Sequence, residues 1–478
     1  MTEKKYDLIV IGSGPSGHHA AIQAAKAGFK ALVIEKQVLG GGCIYSGTIP
    51  SKSLRESVYR WSMGSKGTMG REQEHYSDIT DLPDFPDMSR LLRRKNRVVQ
   101  EGSEIFEAQL KRNHVDFLMG EAQILSPHSV KVVQSSGDQV VHGSHLVIAT
   151  GSSPVQHPHL PVDGELVVDS DTVFDLKKVP KRMVVLGAGV IGSEYAAMFL
   201  MAGTQVTLID RHQRVLDFVD REIVSHLLER FDHYGLELKL ETECEKVEVR
   251  KTKKGSVVDV FLNDGTVLET DVVLVALGRK GNVEGLGLEN IGLKPTDRGL
   301  IEVEKSYETS VPGVYAVGDV IGFPALASTS KEQGRVATCH ALGLDDACSK
   351  SKNYPYGIYT IPEISTIGLT EEQAIAEGKD FVIGRAPYKE LARGQIVGDQ
   401  WGMLKLVVEK GSLKILGVHI IGESAADIIG IGQAVMDLGG DVNYFVGTVF
   451  NYPTWAEAYK AAALHAMNCY LGRHDSEN

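Results

Sequence analysis

Cysteine is scarce: the 478 residues hold five, at positions 43, 244, 339, 348 and 469, and no two stand as Cys-x-x-Cys. An odd, sparse set in a long chain excludes a disulfide-stapled secreted scaffold and fits free thiols in a reducing compartment. Long apolar runs are absent too. Nothing approaches the ~18 uninterrupted apolar residues of a membrane span. The opening MTEKKYDLIVIGSGP has only a short apolar run that ends in a glycine turn, unlike a signal peptide. Positive charge is in deficit, with 50 Lys and Arg against 62 Asp and Glu, for a net charge of −12. Nucleic acid and anionic membranes are therefore not expected partners. His18-His19, His142 with His145, and His157 with His159 lack the cysteine or carboxylate partners of zinc motifs, so no metal site is expected. The first pair reads as helix and the others as loop or surface. The chain reads as a soluble, cytoplasmic protein of several domains.

What is present in excess is glycine, with 51 residues, or about one in nine against a usual ~7%. The glycines cluster at Gly12, Gly14 and Gly17 and again at Gly187, Gly189 and Gly192. Before the first cluster runs Leu8-Ile9-Val10-Ile11. After it come an alanine-rich helical stretch stopped by Gly28, a second apolar run over 31–34, and Glu35. The second cluster repeats this plan, from Met183-Val184-Val185-Leu186 through GAGVIG to Val206–Ile209 and Asp210. Both the glycine turns and the acids are 175 residues apart. Strand, glycine turn, helix, strand and acid form a βαβ unit for a dinucleotide. The turn lets backbone approach a pyrophosphate, the helix N-terminus offers free N–H groups, and the acid accepts from a ribose hydroxyl. Two copies imply two dinucleotides, or one dinucleotide and one flavin.

Other pieces fit that outline. One strand-like run ends in Ala149-Thr150-Gly151 and another in Val317-Gly318-Asp319, which places Asp319 to accept from a sugar or ribityl hydroxyl. A helix is expected over Ala325 to Leu342, its N-terminus near Ala327 facing an anionic ring. Residues 62–97, with glycine, methionine and prolines among polar residues, read as an insert outside the core. From about Tyr354, strand-like runs over 404–408 and 415–421, followed by helices, give a third, α+β unit.

Taken together, these residues resemble the flavin-dependent pyridine nucleotide-disulfide oxidoreductases, the group of lipoamide dehydrogenase, glutathione reductase and mercuric reductase. The resemblance rests on GSGPSG with Glu35, GGGCIYSGTIPSK, ATG at 149–151, GAGVIGSEYA with Asp210, Gly278-Arg279 and Val317-Gly318-Asp319. It implies an α/β fold with two Rossmann-like βαβ domains, for FAD and NAD(P), and a C-terminal α+β dimerisation domain. The implied boundaries are 1–155 and 285–350 for the FAD-binding domain, 156–284 for the NAD(P)-binding domain and 351–478 for the interface. It also implies one non-covalent FAD per subunit, NAD and NADP as substrates, and a homodimer. Lys52 and Glu194 fall at the family's ion pair beside the flavin. Gly41, Gly42, Cys43, Thr48, Ala122, Thr150, Gly151, Gly278, Asp319 and Ala327 join the first glycine turn and Glu35 as cofactor contacts. Gly187, Gly189, Gly192, Asp210 and Arg211 serve the second nucleotide.

The chain departs from the family in two places. Disulfide reductases carry Cys-x4-Cys before Ile-Pro-Ser-Lys, whereas here Cys43 is followed at the second position by Thr48. A hydroxyl forms neither a disulfide nor a thiolate. Where the family has His-Pro-Thr-x-x-Glu, this chain reads Tyr452-Pro453-Thr454-Trp455-Ala456-Glu457, and a tyrosine with its pKa near 10 is a poor proton shuttle at neutral pH. Both losses fall on thiol chemistry, while the nicotinamide half is intact. The expectation is hydride exchange between NADPH and NAD⁺ through bound FAD, in ping-pong fashion. Asp210 suits NAD, and the following Arg211, His212 and Arg214 can offset its charge toward a 2′-phosphate. The alternatives are an NAD(P)H-dependent quinone, dye or oxygen reductase, a peroxidase-like cycle on Cys43, and a flavin-bound scaffold without catalysis.

Overall fold

The computed structural model describes residues 5–64, 86–253, 255–344 and 353–473. Three main sheets organise them. The first runs, in spatial order, Asp116–Met119, Ala31–Glu35, Lys5–Ile11, Gln139–Ile148, Ser129–Val133 and Glu121–Ser126, with Val314–Ala316 also pairing with Gln139–Ile148. Its first four strands are parallel. The central ones are continuous apolar runs because helices cover both faces; Ala31–Glu35 is buried throughout. Chain direction across the sheet reverses beside Lys5–Ile11, opening a crevice at the carboxyl ends of that strand and of Gln139–Ile148.

The second sheet, Glu237–Lys239, Gln205–Ile209, Arg182–Leu186, Val272–Val275 and Val167–Asp169, is wholly parallel and has the same reversal. The third, antiparallel sheet is Tyr356–Ile358, Ile364–Gly368, Ile415–Ile421, Met403–Glu409 and Phe381–Pro387. Chain halves 5–148 and 314–316 thus share one sheet around an inserted second sheet, and the fold is the two-fold βαβ arrangement with a C-terminal α+β unit that the sequence implies.

Helices α1 (Pro15–Lys26), α2 (Gly41–Tyr45), α3 (Thr48–Gly64), α4 (Met88–Arg112), α5 (Val190–Met201), α6 (Arg221–His233), α7 (Ala327–Ala341) and α8 (Glu371–Ala376) frame the sites. Helix α1 ends as its sequence dictates, with Gly28 at φ 87° just past the last turn. Helices α1 and α7 cross so closely that a Cβ on Gly334 would lie 2.0 Å from the Ser16 carbonyl oxygen.

Three expectations need correction. The segment 62–97 is not all insert. Residues 65–85 lie outside the described residues, but α3 reaches Gly64, and α4 starts at Met88 with Asp87 as its N-cap. Met88 and Leu91 are core residues, because three-residue spacing puts them on the one apolar face of an otherwise highly charged helix. His142 lies within the strand Gln139–Ile148, not in a loop, because that strand starts before the run expected from His145. Cys339, buried on α7, is disulfide-bonded, so the thiols are not all free; Cys43, Cys244 and Cys469 are.

Candidate active site

Each glycine turn is built by the same close approaches. Gly12 sits at φ 101°, where an added Cβ would meet the Ala149 carbonyl oxygen at 2.3 Å, and a Cβ on Gly17 would meet the Gly12 oxygen at 2.0 Å. In the second copy Gly187 is at φ 104°, and a Cβ on Gly192 would lie 1.7 Å from its oxygen. Only glycine lets strand, turn and helix come this near. The N-caps, Gly14 and Gly189, make no side-chain capping bond, so the helices' first N–H groups keep their capacity for an anion.

The two acids latch their turns. Glu35 is buried, and its Oε2 accepts from the Ser13 N–H at 2.9 Å and the Ser13 hydroxyl at 2.7 Å. Asp210 Oδ2 accepts from the Ala188 N–H at 2.6 Å. Gly120 donates to the Glu35 carbonyl, which brings Ala122, two residues on, close to the first acid. Arg211 is exposed.

Around the first turn the structure gathers α2, the start of α3, Thr150, Asp319 and α7. A Cβ on Gly41 would come 3.1 Å from Gly14, so α2 begins against the turn, with Gly42 and Cys43 in that helix. Burial raises the Cys43 thiol above its usual range, opposed by a hydrogen bond with Thr48 and by the charges of Lys331 and Lys52. Asp319 accepts from the Ser152 hydroxyl at 2.8 Å. Arg279 also binds Ser152 through its side chain and its carbonyl, and reaches Ser170 and Asp171 beyond it. Gly278, at φ 107°, belongs to this lacing between the first two sheets, where its carbonyl accepts from the Val155 N–H. Gly151 is held nearby by Asn282, whose N–H donates to its carbonyl.

Lys52 on α3 and Glu194 on α5 join the two nucleotide units. Nζ and Oε2 are 2.6 Å apart, with side chains 27% and 5% exposed. Glu194 Oε1 accepts the Tyr359 N–H at 2.8 Å, and the Lys52 ammonium lies 4.9 Å from the Tyr359 ring centroid. Lys52 and Tyr359 also border a cavity of about 430 Å³ that continues along Arg55, Tyr59, Glu363 and Trp401; neither glycine turn lines it.

Sequence reading missed Ser13, Tyr359, Arg279's full set of bonds and Asn282. Ser13 lies inside the turn motif, but both it and Tyr359 act partly through backbone N–H groups, which leave no mark on residue choice. Tyr452 is three-quarters exposed. Among the described residues no cluster of three His, Cys, Asp or Glu is placed to hold a metal ion, and no helix is long and apolar enough to cross a membrane.

The fit to a flavin dinucleotide can be judged on the chain itself. Thr150 Oγ1 is buried with no hydrogen-bond partner at the carboxyl end of Gln139–Ile148, beside the uncapped start of α1. Helix α7 also begins without a side-chain cap, at Leu326. An unpaired hydroxyl and two sets of free N–H groups at one crevice suit a polar, anionic ligand, and the residues fit FAD.

Residues 6–334 match the family described as pyridine nucleotide-disulphide oxidoreductase, and 354–463 match its dimerisation domain. A soluble pyridine nucleotide transhydrogenase of Mycobacterium bovis is 43% identical over 97% of this chain and 98% of its own length. One from Yersinia pestis is 41% identical over the same shares. Among solved structures, LpdA of Mycobacterium tuberculosis superposes with a TM-score of 0.87 at 25% identity, and the HOCl-induced flavoprotein disulfide reductase RclA of Escherichia coli with 0.83 at 27%; each comparison covers 96% of this chain and 99% of the other. The chain belongs to the pyridine nucleotide-disulphide oxidoreductases, FAD-dependent enzymes that use nicotinamide nucleotides, and carries their dimerisation domain.

Proposed function

We propose that this protein exchanges hydride between NADPH and NAD⁺ through bound FAD, with both nucleotides using one site in turn and no redox-active disulfide taking part. The names of the relatives support the activity. The observation that carries the rest is the pairing of Cys43 with Thr48, a free thiol beside a hydroxyl where a disulfide reductase needs two sulfurs. The units are assigned as 1–155 with 285–350 for FAD, 156–284 for the nicotinamide nucleotide and 351–478 for a homodimer interface.

Bound FAD supplies the ring that takes hydride from one nicotinamide and returns it to another. The chain supplies position and charge. Gly12, Gly14, Gly17, Glu35, Gly41, Gly42, Cys43, Thr48, Ala122, Thr150, Gly151, Gly278, Asp319 and the α7 N-terminus at Ala327 are assigned to FAD. Gly187, Gly189, Gly192, Asp210 and Arg211 are assigned to the substrate. The uncapped α7 N-terminus would offer positive partial charge to a ring held there, which would favour its electron-rich form. Glu194 fixes the Lys52 ammonium in one place at the junction of the two nucleotide units. With the cation held in advance, little reorganisation is required as hydride moves.

Initial rates with NADPH and thio-NAD⁺ test the reading, beside an anaerobic NADPH titration. Thio-NADH should form, and the flavin should bleach without a long-wavelength thiolate-to-flavin band. Absence of thio-NADH overturns the transhydrogenase reading; a thiolate band overturns the thiol-free one.

A further inference from the structure

The internal repeat provides its own control. Adding 175 to a residue number in the first unit gives its counterpart in the second. Ser13 and Ala188 correspond, and each donates its N–H to the acid of its own unit. Gln37 and His212 correspond, donating their N–H groups to Glu35 Oε1 at 2.9 Å and to Asp210 Oδ1 at 2.8 Å. Lys36 and Arg211 correspond as well, so a basic residue directly after the acid is common to both units. FAD has no 2′-phosphate, so that shared charge is not a phosphate-reading feature by itself. The units part at the following positions, Gln37-Val38-Leu39 against His212-Gln213-Arg214.

The side chain of His212 does what Gln37 does not. Its Nδ1 lies 2.7 Å from Asp210 Oδ1, while the ring is 62% exposed and the carboxylate 12%. Its Nε2 makes no hydrogen bond among the described residues. A bare carboxylate here accepts a ribose 2′-hydroxyl and repels a 2′-phosphate. An imidazolium bound to that carboxylate cancels the repulsion and offers a second N–H outward. We propose that His212, through its bond to Asp210, lets this one site take both NAD(H) and NADP(H). The inference rests on the reading that the site serves both nucleotides.

The surrounding charges leave the balance to this contact. From the same loop come Asp210, Arg211 and Arg214. From the strand Glu237–Lys239 and the turn after it come Lys239, paired with Glu237, and Glu241, which receives the Gln213 amide and whose N–H donates to the His212 carbonyl. From the glycine turn before α5 comes the Ala188 N–H. Three acids face three bases, and the His212 ring on Asp210 Oδ1 is what separates this site from a bare strand-end carboxylate. NADP(H) gains from that contact, because the ring stands between the carboxylate and the 2′-phosphate. NAD(H), which brings no phosphate to the pair, is little affected.

The experiment uses holoenzyme with ferricyanide as acceptor. kcat/KM is measured for NADPH and for NADH in the wild type and in His212→Asn under the same conditions. The NADPH:NADH ratio of the variant should fall about fivefold below that of the wild type, the scale of an exposed charge pair. His212→Lys, with a permanent charge, should keep or raise the wild-type ratio, and it carries the test if His212→Asn fails to retain flavin. Ratios unchanged in both variants overturn the role of His212 while leaving the exchange of nucleotides intact. If the wild type oxidises only one of the two, the dual-nucleotide reading itself fails.

Discussion

Replacing Glu194 by glutamine separates its two tasks, because both oxygens are engaged. Oε2 holds the Lys52 ammonium at 2.6 Å and Oε1 accepts the Tyr359 N–H at 2.8 Å, from a side chain 5% exposed. Glutamine has the same shape and one oxygen. Turned toward Lys52, it points its amide NH₂ at the Tyr359 N–H; turned toward Tyr359, it points NH₂ at an ammonium. Either way one donor faces another. The loss is one charge-assisted hydrogen bond, worth about 1.5–3 kcal/mol. Lys52 is about a quarter exposed, so water recovers part of it and the lower half of that range applies. At about 1.4 kcal/mol per factor of ten, flavin reduction by NADPH should slow about 10- to 40-fold.

The assay is anaerobic stopped-flow bleaching of bound flavin, with NADPH varied so that affinity and limiting rate are separated. The reasoning requires the limiting rate to fall while the apparent Kd stays within about twofold. Lys52→Met, which removes the cation itself, should slow reduction further and lower Tm, because it leaves a buried carboxylate without its counter-charge. A Glu194→Gln enzyme that keeps its flavin and reduces at the wild-type rate refutes the claim that a fixed Lys52 assists hydride transfer.

Other consequences can be checked alongside. Gly192→Ala places a Cβ 1.7 Å from the Gly187 oxygen and should abolish reduction by NADPH while flavin stays bound; Gly17→Ala, with its Cβ 2.0 Å from the Gly12 oxygen, should yield flavin-free protein by absorbance. Lys405 is fully buried with Asp220, Glu222 and Glu371 at 3.0, 2.9 and 2.6 Å, so Lys405→Met should cost about 3–5 kcal/mol by denaturant unfolding. Burial pushes Asp220 up, but the nearby His419 and Lys405 outweigh it and hold the carboxyl below its ordinary range. Its contribution to stability is therefore complete above about pH 4 and lost as pH falls through the lowered folded-state value, and Lys405→Met should flatten that acid limb. Burial raises Cys43, so iodoacetamide should label it more slowly than a free thiol at pH 8, and Thr48→Val should slow labelling again by removing a hydrogen bond that lowers it; mass spectrometry reads both.

Most of the βαβ architecture was legible because each of its signals is local. Strand, turn, helix, strand and acid lie within about 30 residues, and close packing admits only glycine at Gly12, Gly17, Gly187 and Gly192. The Lys52–Glu194 contact spans 142 positions and was reached only through family resemblance. No periodicity records a pairing at that range. Helix α4 was hidden for another reason: its buried Met88, Leu91 and Leu110 are few among charges, so a core-facing helix read as a polar insert.

The Lys405 cluster shows where alternation misleads. Leu404-Lys405-Leu406 reads as a strand with one face in water, and Lys405 as its solvent-facing residue. Helices α6 and α8 bring Asp220, Glu222 and Glu371 to the face that Lys405 occupies, and the helix Glu457–Tyr470 packs on the other face with Leu404 and Leu406, so both faces of the sheet are covered here. Lysine is tolerated there because Asp220, Glu222 and Glu371 arrive from two other elements to meet it. The same limit governs Asp210. Its identity as the strand-end acid follows from spacing, but the sense of its charge toward a nucleotide does not. That sense depends on where the His212 ring turns, and only the folded loop places Nδ1 on the outer oxygen. Residues that define a binding unit are thus fixed by backbone geometry and repeat with it, whereas residues that tune the unit are side chains free to diverge, as Gln37 and His212 have at one shared position.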